Sequence, residues 1–184
     1  GVMVGEEGRG VRTIIDMVQG NRFYCCFSSA ALMRQGLVQA LHHTTHRTAF
    51  QKKLIQQPLM RNVLADLAVE AEAALALTLR LGRAIDETAD DESAAALARI
   101  GTAVGKYWIC KRAPGHSFEA MECHGGHGYI EDSIMPRLYR EAPVNSIWEG
   151  SGNIMCLDVL RAISREEAAV PAFLAELDAA RGAN

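Results

Sequence analysis

Glu149 lies at a glycine-rich bend between Trp148 and Gly150, a setting that suits acid–base chemistry. Apolar neighbours desolvate a carboxylate, and desolvation makes it a stronger base than a carboxylate in water. The adjacent glycines leave room for a bulky cofactor or substrate to approach the backbone. Glu149 is therefore a candidate catalytic base. From these local residues alone, a loop glutamate that caps a helix beginning near Ile154 is an open alternative.

Two further motifs precede this segment along the chain. Residues 124–129 read HGGHGY and lie about twenty residues before IWEGS at 147–151, and RTAF occupies residues 47–50. In this order the three blocks resemble the acyl-CoA dehydrogenase family, RTAF as its Arg-x-x-Phe flavin contact and the other two as its closing signature. PRLYRE at 136–141 and IMCLDVLR at 154–161 are most similar to the AidB-like alkylation-response branch, which is isovaleryl-CoA dehydrogenase-like.

The resemblance implies a specific reaction at Glu149. In the family a base removes the α-proton of an acyl-CoA thioester while the β-carbon gives a hydride to FAD, so we expect Glu149 to be this base. We expect Gly150 and Arg22 to bind substrate, because Arg22 matches the family's arginine at the mouth of the site. A solvated helix charge is the alternative for Arg22. Some branches carry the base on the first helix, where this chain has Asn21, and an amide cannot take the proton.

The resemblance also implies an FAD site. We expect Arg47 to bind the flavin diphosphate of a neighbouring subunit, since a planar guanidinium pairs well with phosphate oxygens. Phe50 is expected to pack against the adenine end, with a place in the hydrophobic core as its alternative. The other expected cofactor-binding residues are Gly125 and Gly126, by close backbone approach, and Ser151 and Asn153, by side-chain hydrogen bonds.

Three residues depart from the family pattern at this flavin site. Glu122 stands where the family commonly has Gln, and a carboxylate there repels a diphosphate. Gln51 replaces the usual Gly after Phe50, and Pro58 replaces another flavin-contacting Gln. We therefore expect the chain alone to bind FAD weakly or not at all, and to be inactive without further domains.

Composition describes an ordinary globular domain. The chain has 184 residues, of which 49% are apolar and 22% charged, enough for one sizeable core. A net charge of −3 gives no electrostatic reason for nucleic acid or an anionic membrane as the main partner. The five cysteines include no Cys-x-x-Cys pair, and we expect reduced core residues of a cytoplasmic protein. No segment is apolar for long enough to span a membrane.

Apolar residues recur at helical spacing along most of the chain, and no β-hairpin is evident. We predict a first helix from Val11 to about Thr45 and a second from Pro58 to about Asp86. A third begins near Asp91, and Pro114–Gly115 is expected to stop it before a short helix at about 117–123. A further helix is predicted at about 153–163, and the capping-box spacing of Ser164–Glu167 predicts a last helix ending near Arg181–Gly182.

Long helices with short connections pack most simply as an all-α, antiparallel up-and-down bundle, the fold that the resemblance also implies. We expect residues 1–10 to connect to a preceding β domain that this sequence lacks, residues 11–164 to form the bundle with the flavin and catalytic motifs, and residues 165–184 to form a terminal helix and tail. The family further implies a homo-oligomer, a dimer or tetramer, with flavin between chains. An alternative function is an AidB-like flavoprotein that binds DNA for alkylation protection and has weak dehydrogenase activity.

His42, His43 and His46 lie close together in the sequence, and two of them have the i, i+4 spacing of a shared metal site. No third ligand follows at a fixed distance, so we predict no metal site.

Overall fold

The structure is a computed structural model that describes residues 1–181. Three long helices dominate it: α1 (Gly10–His46), α2 (Pro58–Asp86) and α3 (Glu92–Glu122). The shorter helices are α4 (Gly126–Tyr129), α5 (Met135–Glu141), α6 (Gly152–Arg165) and α7 (Ala169–Ala179), with 3-10 turns at Leu54–Gln56 and Pro143–Ser146. Strands β1 (Thr48–Ala49) and β2 (Lys52–Lys53) pair antiparallel. The all-α fold class is confirmed.

Local sequence explains where the long helices begin and which faces they bury. Pro58 occupies the first turn of α2, where its missing N–H costs no hydrogen bond. The Asp91 side chain caps α3 by accepting hydrogen bonds from the backbone N–H groups of Ser93 and Ala94. The common core of α1, α2 and α3 is built from buried residues at helical spacing: Met33, Leu37, Leu64, Leu67, Ala71, Ala74, Ile109 and Ala113.

The predicted break at Pro114–Gly115 is wrong, because α3 continues through Pro114 to Glu122. A proline inside a helix removes one backbone hydrogen bond and costs about 3 kcal/mol. The turns that follow it are deeply buried, with Ser117 and Ala120 fully inaccessible to solvent. Their packing against α1 and α2 offsets the local cost, so tertiary contacts override the propensity of the sequence.

Two other predictions are corrected. Residues 48–53 do form a short hairpin, whose turn residues Phe50 and Gln51 both adopt the left-handed conformation, with φ of 52° and 65°. Ser164 does not cap the last helix; its hydroxyl bonds to the carbonyl of Arg161 inside the last turn of α6. The last helix begins only at Ala169 and ends at Ala179, shortly before the predicted end near Arg181–Gly182, of which Gly182 lies outside the described residues.

The cysteines follow the core prediction with one exception. Four are buried, at Cys25, Cys26, Cys110 and Cys123, whereas Cys156 is exposed on α6. Burial raises the pKa of Cys110 and Cys123 to about 11, so these thiols stay uncharged near neutral pH. Along residues 1–181 no helix has both the length and the apolarity needed to cross a membrane.

His116 makes the stability of the bundle depend on pH. Its Nε2 lies 3.0 Å from the carbonyl oxygen of Leu67 on α2, and burial lowers the pKa of the ring. The folded state therefore favours neutral His116, and the stability this provides is present above the ordinary histidine pKa of about 6.5. It is lost as the pH falls through the lower pKa of the folded state. His43 and His124 contribute with the same sign, because burial also lowers the pKa of each.

We expect the free energy of unfolding to decrease between about pH 7 and pH 5, measured by urea denaturation followed by circular dichroism. His116→Gln should lose less stability over this interval than the wild type, because glutamine does not titrate. His46→Gln, at an exposed position on α1, serves as the matched control. An equal pH-dependent loss in His116→Gln and in the wild type would contradict the assignment.

Candidate functional site

Glu149 lies on a sharp turn between the 3-10 turn Pro143–Ser146 and α6. Both Glu149 and Gly150 adopt left-handed backbone conformations, with φ of 55° and 101°. A Cβ on Gly150 would lie 2.7 Å from the Cε of Met155 and 3.0 Å from a side-chain carbon of Ile154, so crowding adds to the preference of this backbone conformation for glycine. Left-handed backbone at a non-glycine residue costs free energy, which indicates that the surrounding structure holds Glu149 in place.

Two neighbouring residues of α1 hold this turn from one side. The Asn21 amide donates a hydrogen bond to Oε1 of Glu149 over 3.2 Å, and Nε of Arg22 donates to the Glu149 carbonyl over 3.0 Å. The side chain of Arg22 is only 14% exposed. The alternative of a solvated helix charge is therefore wrong for Arg22, and Asn21 proves to be a direct partner of the candidate base.

A buried carboxylate anchors Arg22 in turn. Asp158 on α6, with a side chain 7% exposed, accepts a hydrogen bond from Arg22 over 2.8 Å and two from Arg99 of α3. Arg99 also pairs with Glu166 over 3.1 Å. Sequence reasoning missed Asp158. A usable signal was its helical spacing from Met155 and Ala162, which places the three residues on the same, buried face of α6.

Lys106 holds the turn from the other side. It is 1% exposed and is the largest fully buried side chain among the described residues. Its Nζ donates hydrogen bonds to the carbonyl oxygens of Gly150, over 2.7 Å, and Asn145, over 3.1 Å. The ammonium group thus joins the two ends of the segment that carries Glu149. Sequence reasoning missed this residue as well.

We expect Lys106→Met to destabilise the protein by about 1–3 kcal/mol. Methionine keeps most of the apolar stem but leaves the Asn145 and Gly150 carbonyls without their donor. The substitution also removes a charge that is costly to bury, and this gain offsets part of the lost hydrogen bonding. The expected cost is therefore below that of a broken ion pair. Urea denaturation measures the change, with Lys52→Met as a control at an exposed lysine. Wild-type stability in Lys106→Met would show that these hydrogen bonds do not hold the turn.

The carboxylate of Glu149 faces a small cavity of about 270 Å³ between α1 and the turn. Cys25 and Tyr24 line its α1 side, and Trp148, which donates to Oδ1 of Asn145 over 3.2 Å, lines the other. Burial raises the pKa of the Cys25 thiol, so this group remains neutral beside the carboxylate. Glu149 is half-buried and Trp148 is 54% exposed, so the apolar setting expected from the sequence is only partly formed within this chain.

A second cleft, of about 700 Å³, contains several of the predicted flavin-binding residues. It brings Arg47, just after α1, together with Gly125 and Gly126, at the start of α4. Gly125 has a φ of 60°, and open space surrounds the Cβ positions of both glycines, as a close backbone approach by a ligand requires. Glu122 lines the same cleft and is exposed. In the described part of the chain, no group of three or more His, Cys, Asp or Glu side chains is arranged to hold a metal ion.

Phe50 lies at the tip of the β1–β2 hairpin and is 91% exposed. Its alternative assignment to the hydrophobic core is therefore wrong. An exposed aromatic ring on a left-handed turn gains nothing from burial within this chain, and it is available to contact a ligand or another chain.

The structure does not bring Ser151 and Asn153 to this second cleft. Ser151 is the residue before α6 and makes no side-chain capping bond, and both residues are exposed on the Glu149 side of the bundle. Arg22 and His46 are 24 residues apart on the continuous helix α1, which separates them by about 36 Å. The predicted site residues therefore form two groups about 36 Å apart along α1.

The chain is thus a bundle of three long helices that carries a carboxylate on a glycine-containing turn and, farther along α1, a cleft lined by an arginine and two glycines. The sequence profile of the acyl-CoA dehydrogenase carboxy-terminal domain matches residues 8–164, and the chain belongs to this family.

Similar proteins include both curated sequences and solved structures. The chain is 51% identical to AidB of Escherichia coli K12 over 166 residues, which are 90% of this chain and 30% of AidB. It superimposes on the crystal structure of Caenorhabditis elegans ACDH-11 in complex with C11-CoA with a TM-score of 0.90 and 32% identity, over 95% of this chain and 30% of that one. For an acyl-CoA dehydrogenase from Geobacillus kaustophilus the TM-score is 0.75 at 25% identity, over 87% and 40%. The chain thus spans less than half the length of these relatives.

Proposed function

We propose that this chain is the carboxy-terminal domain of an FAD-dependent acyl-CoA dehydrogenase in which Glu149 is the base that removes the α-proton of an acyl-CoA thioester. The observation that carries the proposal is the placement of the Glu149 carboxylate at a cavity, on a turn fixed by Arg22 and Lys106. The C11-CoA complex of ACDH-11 supports acyl-CoA as the substrate class. Residues 1–10 then serve as the connector to a preceding domain, with residues 11–164 as the bundle and 165–184 as its terminal helix and tail.

The residues of this chain suit the first half of the reaction. Oε1 of Glu149 accepts the hydrogen bond of Asn21, and we assign the α-proton to Oε2. The backbone N–H of Glu149 is the donor we propose for the thioester carbonyl, whose negative charge grows as the proton leaves. Arg22 and Gly150 border the space for the substrate. FAD, when bound, supplies the acceptor for the hydride from the β-carbon.

The arrangement also supports a homo-oligomer with flavin bound between chains. A dinucleotide is shorter than the distance of about 36 Å that separates the two groups of site residues along α1. Ser151 and Asn153 of one chain and Arg47, Phe50, Gly125 and Gly126 of another would then contact one flavin. Exposed apolar residues follow one side of α6, as a helix that packs against another chain requires: Ile154, Leu157, Leu160 and Ile163.

The test is a spectrum of the purified full-length protein of which we propose this chain is a part. We expect bound flavin whose visible absorbance bleaches on addition of an acyl-CoA in the absence of oxygen. A full-length protein that binds no flavin, or whose flavin no acyl-CoA reduces, would contradict the proposal.

A second candidate function is the one that the AidB-like resemblance implies, a flavoprotein that binds DNA; the 51% identity to AidB supports the AidB-like branch. A salt-dependent gel shift separates the two functions, because DNA binding through phosphate contacts weakens steeply as salt increases. Absence of a shift at low salt, for both the full-length protein and this chain, would remove the DNA-binding candidate.

A further inference from the structure

Three histidines from two parts of the chain cluster beside Arg47. The ring centroid of His43, on α1, lies 4.7 Å from that of His124 and 6.2 Å from that of His127, with the His43 and His127 rings inclined by only 18°. All three line the cleft of about 700 Å³ that also contains Gly125 and Gly126. None of them takes part in the proton transfer proposed for Glu149.

Most of the ionisable side chains that face this cleft are cations or bases that can take up a proton. Arg47 is the permanent cation, and Glu122 is the carboxylate that lines the same cleft. The remaining titratable neighbours are His42, on the same helix, and Cys123, whereas Leu54 and Met60 are the apolar contributions of the 3-10 turn and α2. Burial lowers the pKa of His43, and the neighbouring imidazoles and Arg47 lower it further. The lowered pKa of His43, together with the lowered pKa that burial gives His124, keeps these two rings neutral near pH 7.

We propose that His43, His124 and His127 form, with Arg47, a diphosphate-binding site that takes up a proton when the anion binds. The assignment rests on the proposed function, because it places the diphosphate of a dinucleotide at Arg47. A doubly charged diphosphate diester is only half neutralised by one guanidinium, and a proton on the clustered imidazoles supplies the second charge. Without a ligand, repulsion among the cationic groups opposes protonation of the rings. A bound anion attracts the added proton and offsets this repulsion.

The geometry favours an anion over a metal ion for this cluster. Neutral imidazoles are good metal ligands, but the guanidinium of Arg47 beside them repels a cation. The two glycines expose backbone at the same cleft, as a diphosphate requires, and Glu122 is exposed rather than enclosed with the rings. Protonated imidazoles thus compensate for a carboxylate at the position where the flavin-binding relatives were expected to have an amide.

The test is calorimetric titration of the full-length protein, freed of FAD, with ADP-ribose, whose diphosphate diester keeps a constant charge between about pH 6 and pH 8. We expect binding to be roughly tenfold tighter at the lower pH, with net proton uptake revealed by comparing buffers of different ionisation enthalpy. His43→Gln/His127→Gln should retain the affinity measured near pH 8 and lose the tightening near pH 6. Arg47→Gln should weaken binding at both pH values. His46 packs against His42 and does not line the cleft, so His46→Gln should behave as the wild type.

Equal affinity at both pH values, an unchanged pH dependence in the double variant, or no binding of ADP-ribose would each overturn the proposal. ADP-ribose has no flavin ring, so this titration is independent of dehydrogenase chemistry. Flavin reduction by an acyl-CoA in the full-length protein, together with a pH-independent titration, would remove the proton-linked site and leave the proposed function intact. Proton-linked binding without flavin reduction would support the proton-linked site and contradict the proposed function.

Discussion

Glu149→Gln is expected to lower the rate of acyl-CoA-driven flavin reduction by about 10²–10⁴-fold in the full-length protein, because an amide cannot take the α-proton. Glutamine has nearly the same shape as glutamate, and its carbonyl oxygen can still accept the hydrogen bond that Asn21 donates. The Arg22 and Lys106 contacts to the turn involve backbone oxygens of Glu149 and Gly150 and are also kept. Folding and flavin content should therefore be unchanged. Stopped-flow measurement of flavin bleaching gives the rate of the chemical step directly.

Glu141→Gln is the matched control for this experiment. Glu141 is exposed at the end of α5 and lines a neighbouring groove of about 660 Å³ with Trp148 and Asn145, so the same change of charge is made close to the site. We expect it to leave the reduction rate near that of the wild type. If Glu149→Gln reduced flavin as fast as Glu141→Gln, Glu149 would be excluded as the base, although the fold assignment would stand.

The long helices could be predicted because their signals are local. Pro58 in the first turn of α2 and the carboxylate of Asp91 before α3 fix helix starts without help from distant residues. Pro114 is the opposite case. Its local signal is to end a helix, and only the packing of Ser117 and Ala120 against other helices overrides that signal. The predicted start of the last helix is wrong for a similar reason. The Ser164 hydroxyl donates a hydrogen bond to the Arg161 carbonyl within α6 and does not cap the next helix.

Some residues of the candidate site could likewise be predicted from local sequence, whereas others could not. Glu149 and Gly150 carry recognisable sequence signals, and the structure places them on a fixed turn. Lys106 does not, because a lysine within a helix usually points to solvent and nothing in its neighbours marks it as 1% exposed. Its role depends on carbonyl groups of Asn145 and Gly150, about forty residues away. Such contacts between distant segments are set by tertiary packing, which residue spacing does not encode.

Asp158 carries the largest expected effect on stability. Its carboxylate is 7% exposed and accepts hydrogen bonds from Arg22 and Arg99, whose side chains are 14% and 22% exposed. Removing one partner from a buried ion pair leaves the other charges without compensation, which costs about 3–5 kcal/mol. We expect Asp158→Asn to lower the free energy of unfolding by this amount, measured by urea denaturation near pH 7. Asp178→Asn removes a carboxylate 63% exposed that pairs with Arg181, and it should cost less than about 0.5 kcal/mol.

The same substitution connects stability to the proposed chemistry. Arg22 has Asp158 as its charged partner and, through Nε, holds the carbonyl of Glu149, so loss of the carboxylate releases one support of the turn. In the full-length protein at a temperature where Asp158→Asn remains folded, we expect slower flavin reduction with unchanged flavin content. Asp178→Asn should reduce flavin at the wild-type rate. A variant that is destabilised but reduces flavin normally would show that Lys106 and Asn21 hold Glu149 without help from the ion-pair network.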